Sequence, residues 1–154
     1  MADPDKISRR ELRAKVMQAL YAHDMTGDPI SHLRTTVLAD IKESTTDYDY
    51  AARMLNVVIN KPDEINEWLL KHTNNWDMAR IAVIDLILLK MGTAEFLFFP
   101  DIPPKVTMNE LLEIAKSYST DQSNKFINGV LDAVLEDLKK QGKIEKTGRG
   151  LINS

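Results

Sequence analysis

The spacing of apolar residues constrains the fold more than any other feature of this sequence. Apolar side chains recur three or four residues apart along almost the whole chain, whereas the strict alternation typical of half-buried strands is scarce. The clearest stripe lies near the C-terminus and consists of Phe126, Ile127, Val130, Leu131, Val134, Leu135 and Leu138. With 154 residues, the chain has the length of one typical domain. The pattern therefore predicts an all-α fold.

Turn and cap signals divide this pattern into about six to seven helices. Ser8 is a suitable N-cap for a first helix that runs to about Met25, and Thr26-Gly27-Asp28-Pro29 predicts a turn after it. The other expected helices cover about 30–43, 48–60, 62–72, 74–98, 107–118 and 122–140. Gly129 falls inside the last of these, where glycine is unfavourable, and it therefore predicts a close approach of another helix.

The charges are distributed unevenly along the chain. The formal net charge of -3 argues against a protein that coats nucleic acid through bulk positive charge. Residues 1–15 nevertheless carry five basic and three acidic side chains, and residues 139–154 carry five and one. The stretch between them holds ten basic and nineteen acidic residues. Two basic ends on an acidic body indicate a localised anionic partner. The polar C-terminal part, 141–154, is expected to be flexible.

Several function classes are excluded or disfavoured by the sequence. The absence of cysteine excludes disulfides and thiolate metal sites, and the three histidines lack metal-ligand spacing. No Walker loop, GxSxG or GxGxxG motif is present, so neither catalysis nor a cofactor is expected. The longest apolar region, Ile81 to Phe99, is interrupted by Asp85, Lys90 and Glu95. Burying three charges in a bilayer is costly, and we expect no membrane span.

The first helix carries a second stripe beside its apolar one. This basic ridge consists of Lys6, Arg10, Arg13, Met17 and Tyr21. Arg9 projects close to the apolar stripe, at the end of the helix, where it can still reach outward. Phosphates attract the cations, while arginine planes and a tyrosine ring can stack on unpaired bases. The alternative is a solvated helix end on which Tyr21 packs against a neighbour, and spacing alone favours that alternative.

Phe126 lies at the edge of the last apolar stripe, one turn after Gln122 and beside Lys125. An edge phenylalanine with polar neighbours can serve as a stacking platform for a base, although such residues are more often part of the core. From the residues alone, a helical module that binds nucleic acid and one that binds protein are nearly equally supported.

Several long segments carry a resemblance to a known family. They are Arg9–Tyr21 (RRELRAKVMQALY), Ile102–Glu110 (IPPKVTMNE), Ile114–Lys116 (IAK) and Ser123–Asp132 (SNKFINGVLD). In this order, and with weaker support around Asp85 and Glu95, the chain resembles the NusB family of bacterial transcription antitermination factors. The resemblance covers essentially residues 8–138, and 26–75 match mainly in helical pattern.

The resemblance implies a helical bundle of two small subdomains, about 8–73 and 74–140, within one domain over 8–140. It implies a cytoplasmic protein that binds boxA, a single-stranded RNA element of ribosomal operon leaders, together with the ribosomal small-subunit protein NusE. Such a complex joins RNA polymerase through other Nus factors and suppresses termination. The resemblance implies neither catalysis nor a cofactor.

Carried over by position, the resemblance assigns RNA contacts to residues of the first and last helices. These are Arg9, Arg10, Arg13, Tyr21, Gln122, Lys125 and Phe126, to which the basic ridge adds Lys6. A NusE-facing surface is assigned to Asp85 and extended to Lys90 and Glu95. Glu11 stands where some members have arginine, and Gln122 stands where some are acidic. A non-catalytic protein-interaction module and the helical accessory domain of a ribosomal RNA methyltransferase remain alternatives.

Overall fold

A computed structural model describes residues 7–36, 38–42, 45–73 and 81–151 of the chain. Within these residues the chain forms seven α-helices and no strand: α1 (Arg9–Thr26), α2 (Ile30–Thr36), α3 (Thr46–Asn60), α4 (Pro62–Leu69), α5 (Val83–Phe98), α6 (Pro104–Tyr118) and α7 (Asp121–Lys140). Short 3₁₀ turns follow α4 at Leu70–His72 and close the described chain at Gly148–Leu151. The all-α prediction is confirmed.

Local side chains set several helix ends as the sequence predicts. The Ser8 hydroxyl oxygen accepts a hydrogen bond from the Glu11 backbone N–H at 3.0 Å and caps α1. Gly27 ends that helix with a φ of 74°, a left-handed conformation that glycine adopts without steric cost. Thr45 and Thr120 cap α3 and α7 in the same way as Ser8 caps α1.

Other boundaries differ from the predicted ones. Helix α2 ends at Thr36 rather than near residue 43, because the hydroxyls of Thr35 and Thr36 bond back to the His32 carbonyl and compete with helix propagation. Helix α6 begins at Pro104, since a proline in the first turn loses no helical hydrogen bond. The start predicted near residue 74 lies outside the described residues, and α5 is described from Val83.

Helix α5 is the centre of the bundle and packs against α1, α3, α4, α6 and α7. A Cβ at Gly92 of α5 would lie 2.7 Å from a methyl of Leu131 on α7, so this glycine permits the close approach of the two helices. The expectation for Gly129 is wrong, because a Cβ there would meet no atom within 4 Å among the described residues. One buried apolar cluster includes residues from both predicted subdomains, whose division stays a prediction. No helix in the described part of the chain is long and apolar enough to cross a membrane.

The described part of the C-terminal segment is packed against the bundle, which corrects the expectation of a flexible tail. The Lys146 ammonium donates to the carbonyls of Glu95 and Phe99 at 2.9 and 2.8 Å. The Thr147 backbone N–H donates to the Pro100 carbonyl at 2.9 Å. The Glu95 carbonyl also accepts from the Phe99 backbone N–H at 3.3 Å, so Lys146 adds a second donor there and supplies a donor to the Phe99 carbonyl at the end of α5. Burial disfavours the charged form and lowers the pKa of Lys146 to about 8.

Candidate nucleic-acid interface

Arg13 is buried, which corrects its assignment to the exposed basic ridge. Its side chain is 1% exposed, and its Nε and Nη2 donate to the two carboxylate oxygens of Glu95 at 2.8 and 3.0 Å. Glu95 is 0% exposed and also accepts hydrogen bonds from the Tyr50 hydroxyl at 2.5 Å and the Thr107 hydroxyl at 2.8 Å. Burial is the largest single effect and lowers the pKa of Arg13, but the attraction and hydrogen bonds to Glu95 and the attraction to Tyr50 together outweigh it and raise the pKa. The pair joins α1 to α5, and Glu95 cannot face a partner protein as predicted.

Two arginines of α1 remain accessible. Arg10 is exposed, and its guanidinium donates to both carboxylate oxygens of Glu110 on α6 at 2.8 and 3.1 Å. That hydrogen bond raises the pKa of Arg10. Arg9 lies over the Tyr50 ring at 4.7 Å, with a guanidinium nitrogen 3.7 Å from a carboxylate oxygen of Asp47. Both arginines therefore reach the surface in defined positions.

The rest of the predicted ridge divides between surface and core. Tyr21 is 41% exposed, as an RNA-stacking residue requires, whereas Met17 is buried. Lys6 lies outside the described residues.

A cleft of about 750 Å³ opens beside the start of α1 and the start of α6. We call it the arginine cleft, because it is lined by Arg9, Arg10, Arg13 and Arg149. Three carboxylates, those of Glu11, Asp101 and Glu110, line it as well. Arg149 comes from the C-terminal segment and was not among the predicted contacts, because only the fold brings that segment to α1.

The predicted residues of α7 lie together at its start. Gln122 and Lys125 are exposed, while Phe126 is half-buried and packs against the core with part of its ring. Gln122 and Phe126 also line a pocket of about 230 Å³ between the starts of α5 and α7. Phe126 thus combines both alternatives that its edge position left open, because one part of the ring packs inward and another borders an open pocket.

A surface groove lies between α1, α6 and α7. It has a volume of about 720 Å³ and runs across α6 from Arg10 to Lys116 and Asn124. Beside it, Tyr118 is 42% exposed, and its hydroxyl accepts a hydrogen bond from Gln18 of α1 at 3.1 Å. Tyr118 is an exposed aromatic that the periodicity did not single out. The groove joins Arg10 of α1 to Asn124 of α7, whereas Gln122 and Phe126 border a different pocket.

The proposed NusE-facing residues do not form one exposed surface. Asp85 is only 5% exposed, and its carboxylate accepts a hydrogen bond from the Ser119 hydroxyl at 2.6 Å, which ties α5 to the connection between α6 and α7. Lys90 is half-exposed. With Glu95 buried, Lys90 is the member of the set that a partner can reach most easily. Among the described residues, no cluster of three or more His, Cys, Asp or Glu side chains is placed to hold a metal ion.

The fold and this surface define an all-α binding protein with arginines at one end of its candidate interface and aromatic rings at the other. The chain belongs to the NusB family, whose model matches residues 10–136. It is 45% identical to the transcription antitermination protein NusB of Salinibacter ruber (strain DSM 13855 / M31) over 146 residues, which cover 94% of this chain and 91% of the relative. The resemblance inferred from the motifs is confirmed.

Solved structures agree with this assignment. The fold matches that of T. maritima NusB with a TM-score of 0.75 at 31% identity, covering 86% of this chain and 93% of the other. It also matches a chain of a crystal structure of the antitermination factors NusB and NusE in complex with dsRNA, with a TM-score of 0.74 at 25% identity. That match covers 84% of this chain and 96% of its counterpart.

Proposed function

We propose that this chain is an RNA-binding antitermination factor that binds boxA-type single-stranded RNA together with NusE. The observation that carries the proposal is the arginine cleft, which shares Arg10 and Glu110 with the groove across α6, in a chain of the NusB family. The complex then joins RNA polymerase through other Nus factors and supports transcription of ribosomal RNA. The protein acts in the cytoplasm, without catalysis and without a cofactor.

Each part of the surface has a distinct role in this proposal. Arg9 and Arg10 bind phosphates and give the affinity its dependence on salt. Tyr21 and Phe126 stack on unpaired bases, because every base offers a π-face to an aromatic ring. Gln122 and Lys125 contact the same strand at the start of α7.

Arg13 acts on this surface from inside the fold as a positioning residue. Its pair with Glu95 fixes α1 against α5 and so sets the position of the accessible arginines. NusE binds on the face of α5 that carries Lys90, while Asp85 supports this face through its hydrogen bond to Ser119.

A titration of labelled RNA into the full chain, with and without NusE, tests the proposal. The RNAs are boxA, a scrambled strand of equal composition and a duplex, each at two salt concentrations. We expect boxA to bind more tightly than the scrambled strand, with a further gain when NusE is present. The triple variant Arg9→Gln/Arg10→Gln/Phe126→Ala should lose most of this affinity, while Lys139→Gln, a charge change outside the surface, should not. Equal binding by the triple variant and the unchanged chain would refute the RNA surface.

A pure protein-interaction module is the second candidate, and one observation favours it. Three of the four arginines in the cleft, Arg9, Arg10 and Arg13, are already paired with carboxylates. If these pairs persist, little positive charge is left for a phosphate. Association with NusE but no RNA binding, even by the joint complex, would establish this candidate instead.

A further inference from the structure

Backbone hydrogen bonds hold the C-terminal segment against the loop that follows α5. The Thr147 N–H donates to the Pro100 carbonyl, and the Gly150 N–H donates to the Thr147 carbonyl, both at 2.9 Å. A Cβ on Gly150 would lie 1.9 Å from the Pro100 carbonyl oxygen, closer than any side chain tolerates. Glycine is therefore required for this docking, and the docking places Arg149 in the lining of the arginine cleft.

Arg13 and Arg149 both line this cleft but differ in what they can offer an anion. The Nη1 nitrogen of Arg13 is buried and has no hydrogen-bond partner among the described residues. Arg149 lines the same cleft, and its side chain is exposed. Arg10, by contrast, is held by Glu110. Because Nη1 of Arg13 has almost no accessible surface, an anion in the cleft can reach Arg149 but not this nitrogen.

We propose that the docked C-terminal segment is part of the RNA-binding surface, with the exposed Arg149 binding one phosphate of the RNA backbone in the arginine cleft. This inference rests on the proposed function and adds a contact from the opposite end of the chain. A phosphate presents several acceptor oxygens that planar guanidinium forks can share. The carboxylates of Glu11 and Asp101 line the same cleft and oppose any anion, so the positive charge that Arg149 adds counts directly toward phosphate binding.

The test measures boxA binding by fluorescence anisotropy for the full chain in complex with NusE, over a series of salt concentrations. Arg149→Gln should weaken binding several-fold at low salt and reduce the slope of log affinity against log salt by about 0.7, the value for one phosphate contact on a single strand. Lys139→Gln removes the same charge outside the cleft and should leave both quantities unchanged. Far-UV circular dichroism and thermal unfolding verify that each variant is folded.

A second variant separates the docked site from a merely charged tail. Gly150→Ala retains every charge, but its Cβ cannot coexist with the Pro100 carbonyl, so the segment must leave its position. We expect Gly150→Ala to lose as much affinity as Arg149→Gln, and the double variant to lose no more than either single one. Full binding by Gly150→Ala beside weak binding by Arg149→Gln would overturn the docked site.

Other outcomes distinguish this inference from the proposed function. Unchanged binding by Arg149→Gln beside weakened binding by Arg9→Gln would overturn the inference and leave the RNA surface intact. If both variants bound RNA normally, the inference would be overturned and Arg9 would also be excluded from the RNA contacts; failure of the unchanged chain to bind boxA, even with NusE, would instead refute the proposed function. In a further outcome, Arg149→Gln loses association with NusE while the free chain keeps its RNA affinity. That result would show that the cleft binds a carboxylate of NusE and would refute phosphate binding there.

Discussion

Replacing Arg13 with methionine measures how much of the site depends on a buried ion pair. The substitution removes both donors that Arg13 extends to Glu95 and leaves the carboxylate buried. Removing one partner of such a pair costs about 3–5 kcal/mol, because the remaining charge lies uncompensated in a poorly polarisable interior. The hydroxyls of Tyr50 and Thr107 still donate to Glu95, which favours the lower end, about 3 kcal/mol.

Urea unfolding followed by far-UV circular dichroism gives the loss as a shift of the midpoint at constant m-value. Glu95→Gln should destabilise to a similar degree, since it leaves the guanidinium of Arg13 beside a neutral amide. The double variant Arg13→Met/Glu95→Met removes both charges, and we expect it to lose less stability than the two single losses added together.

The result that would refute this reasoning is a stable Arg13→Met variant. An exposed arginine that only contacts RNA should cost no more than about 0.5 kcal/mol when replaced. If Arg13→Met unfolded at the same urea concentration as the unchanged chain but lost RNA affinity, the buried pair with Glu95 would be wrong and the exposed ridge correct.

Three further predictions follow from single contacts. Glu110→Gln should strengthen boxA binding a few-fold by releasing Arg10, and the gain should vanish when Arg10→Gln is added. Gly129→Ala should stabilise the fold by about 1 kcal/mol in thermal unfolding, whereas Gly92→Ala should destabilise it by about 1–3 kcal/mol through overpacking. Between pH 8 and 10.5 the unfolded chain retains a proton that folded Lys146 has released, so the stability of the unchanged chain relative to Lys146→Met should rise with pH in urea titrations.

The elements that the sequence predicted correctly are those set by neighbouring residues. Ser8 caps a helix three residues away, and Gly27 ends it through its own backbone conformation. The edge position of Phe126 also follows from local spacing, and the structure places part of its ring against the core. Contacts between residues three or four positions apart depend on the local sequence and not on how the rest of the chain folds.

The burial of Arg13 could not be predicted in this way. It follows Leu12 directly and lies within one turn of Val16, so the helical pattern allows it to face either α5 or solvent. The choice depends on Glu95, which is 82 residues away in the sequence. A single sequence contains no signal that pairs these two positions.

The docking of the C-terminal segment was missed for a related reason. Lys146 binds backbone carbonyls, which every residue has and no residue type identifies. The role of Gly150 depends on the Pro100 carbonyl and becomes visible only when the two segments meet. A polar, basic composition predicts a solvated tail unless these tertiary partners are known.

Acidic residues of the chain hold arginines of the cleft in place. Glu95 and Glu110 hold Arg13 and Arg10 in fixed positions, while the docked segment adds Arg149 from the other basic end. A phosphate bound in the cleft is affected mainly by charges within about 10 Å at 0.1 M salt, so the net charge of -3 has little bearing on affinity. Removing a distant carboxylate should therefore change RNA binding little, whereas removing Glu110 should change it strongly. The affinity of the cleft arginines for an anion therefore depends on the carboxylates with which they are paired.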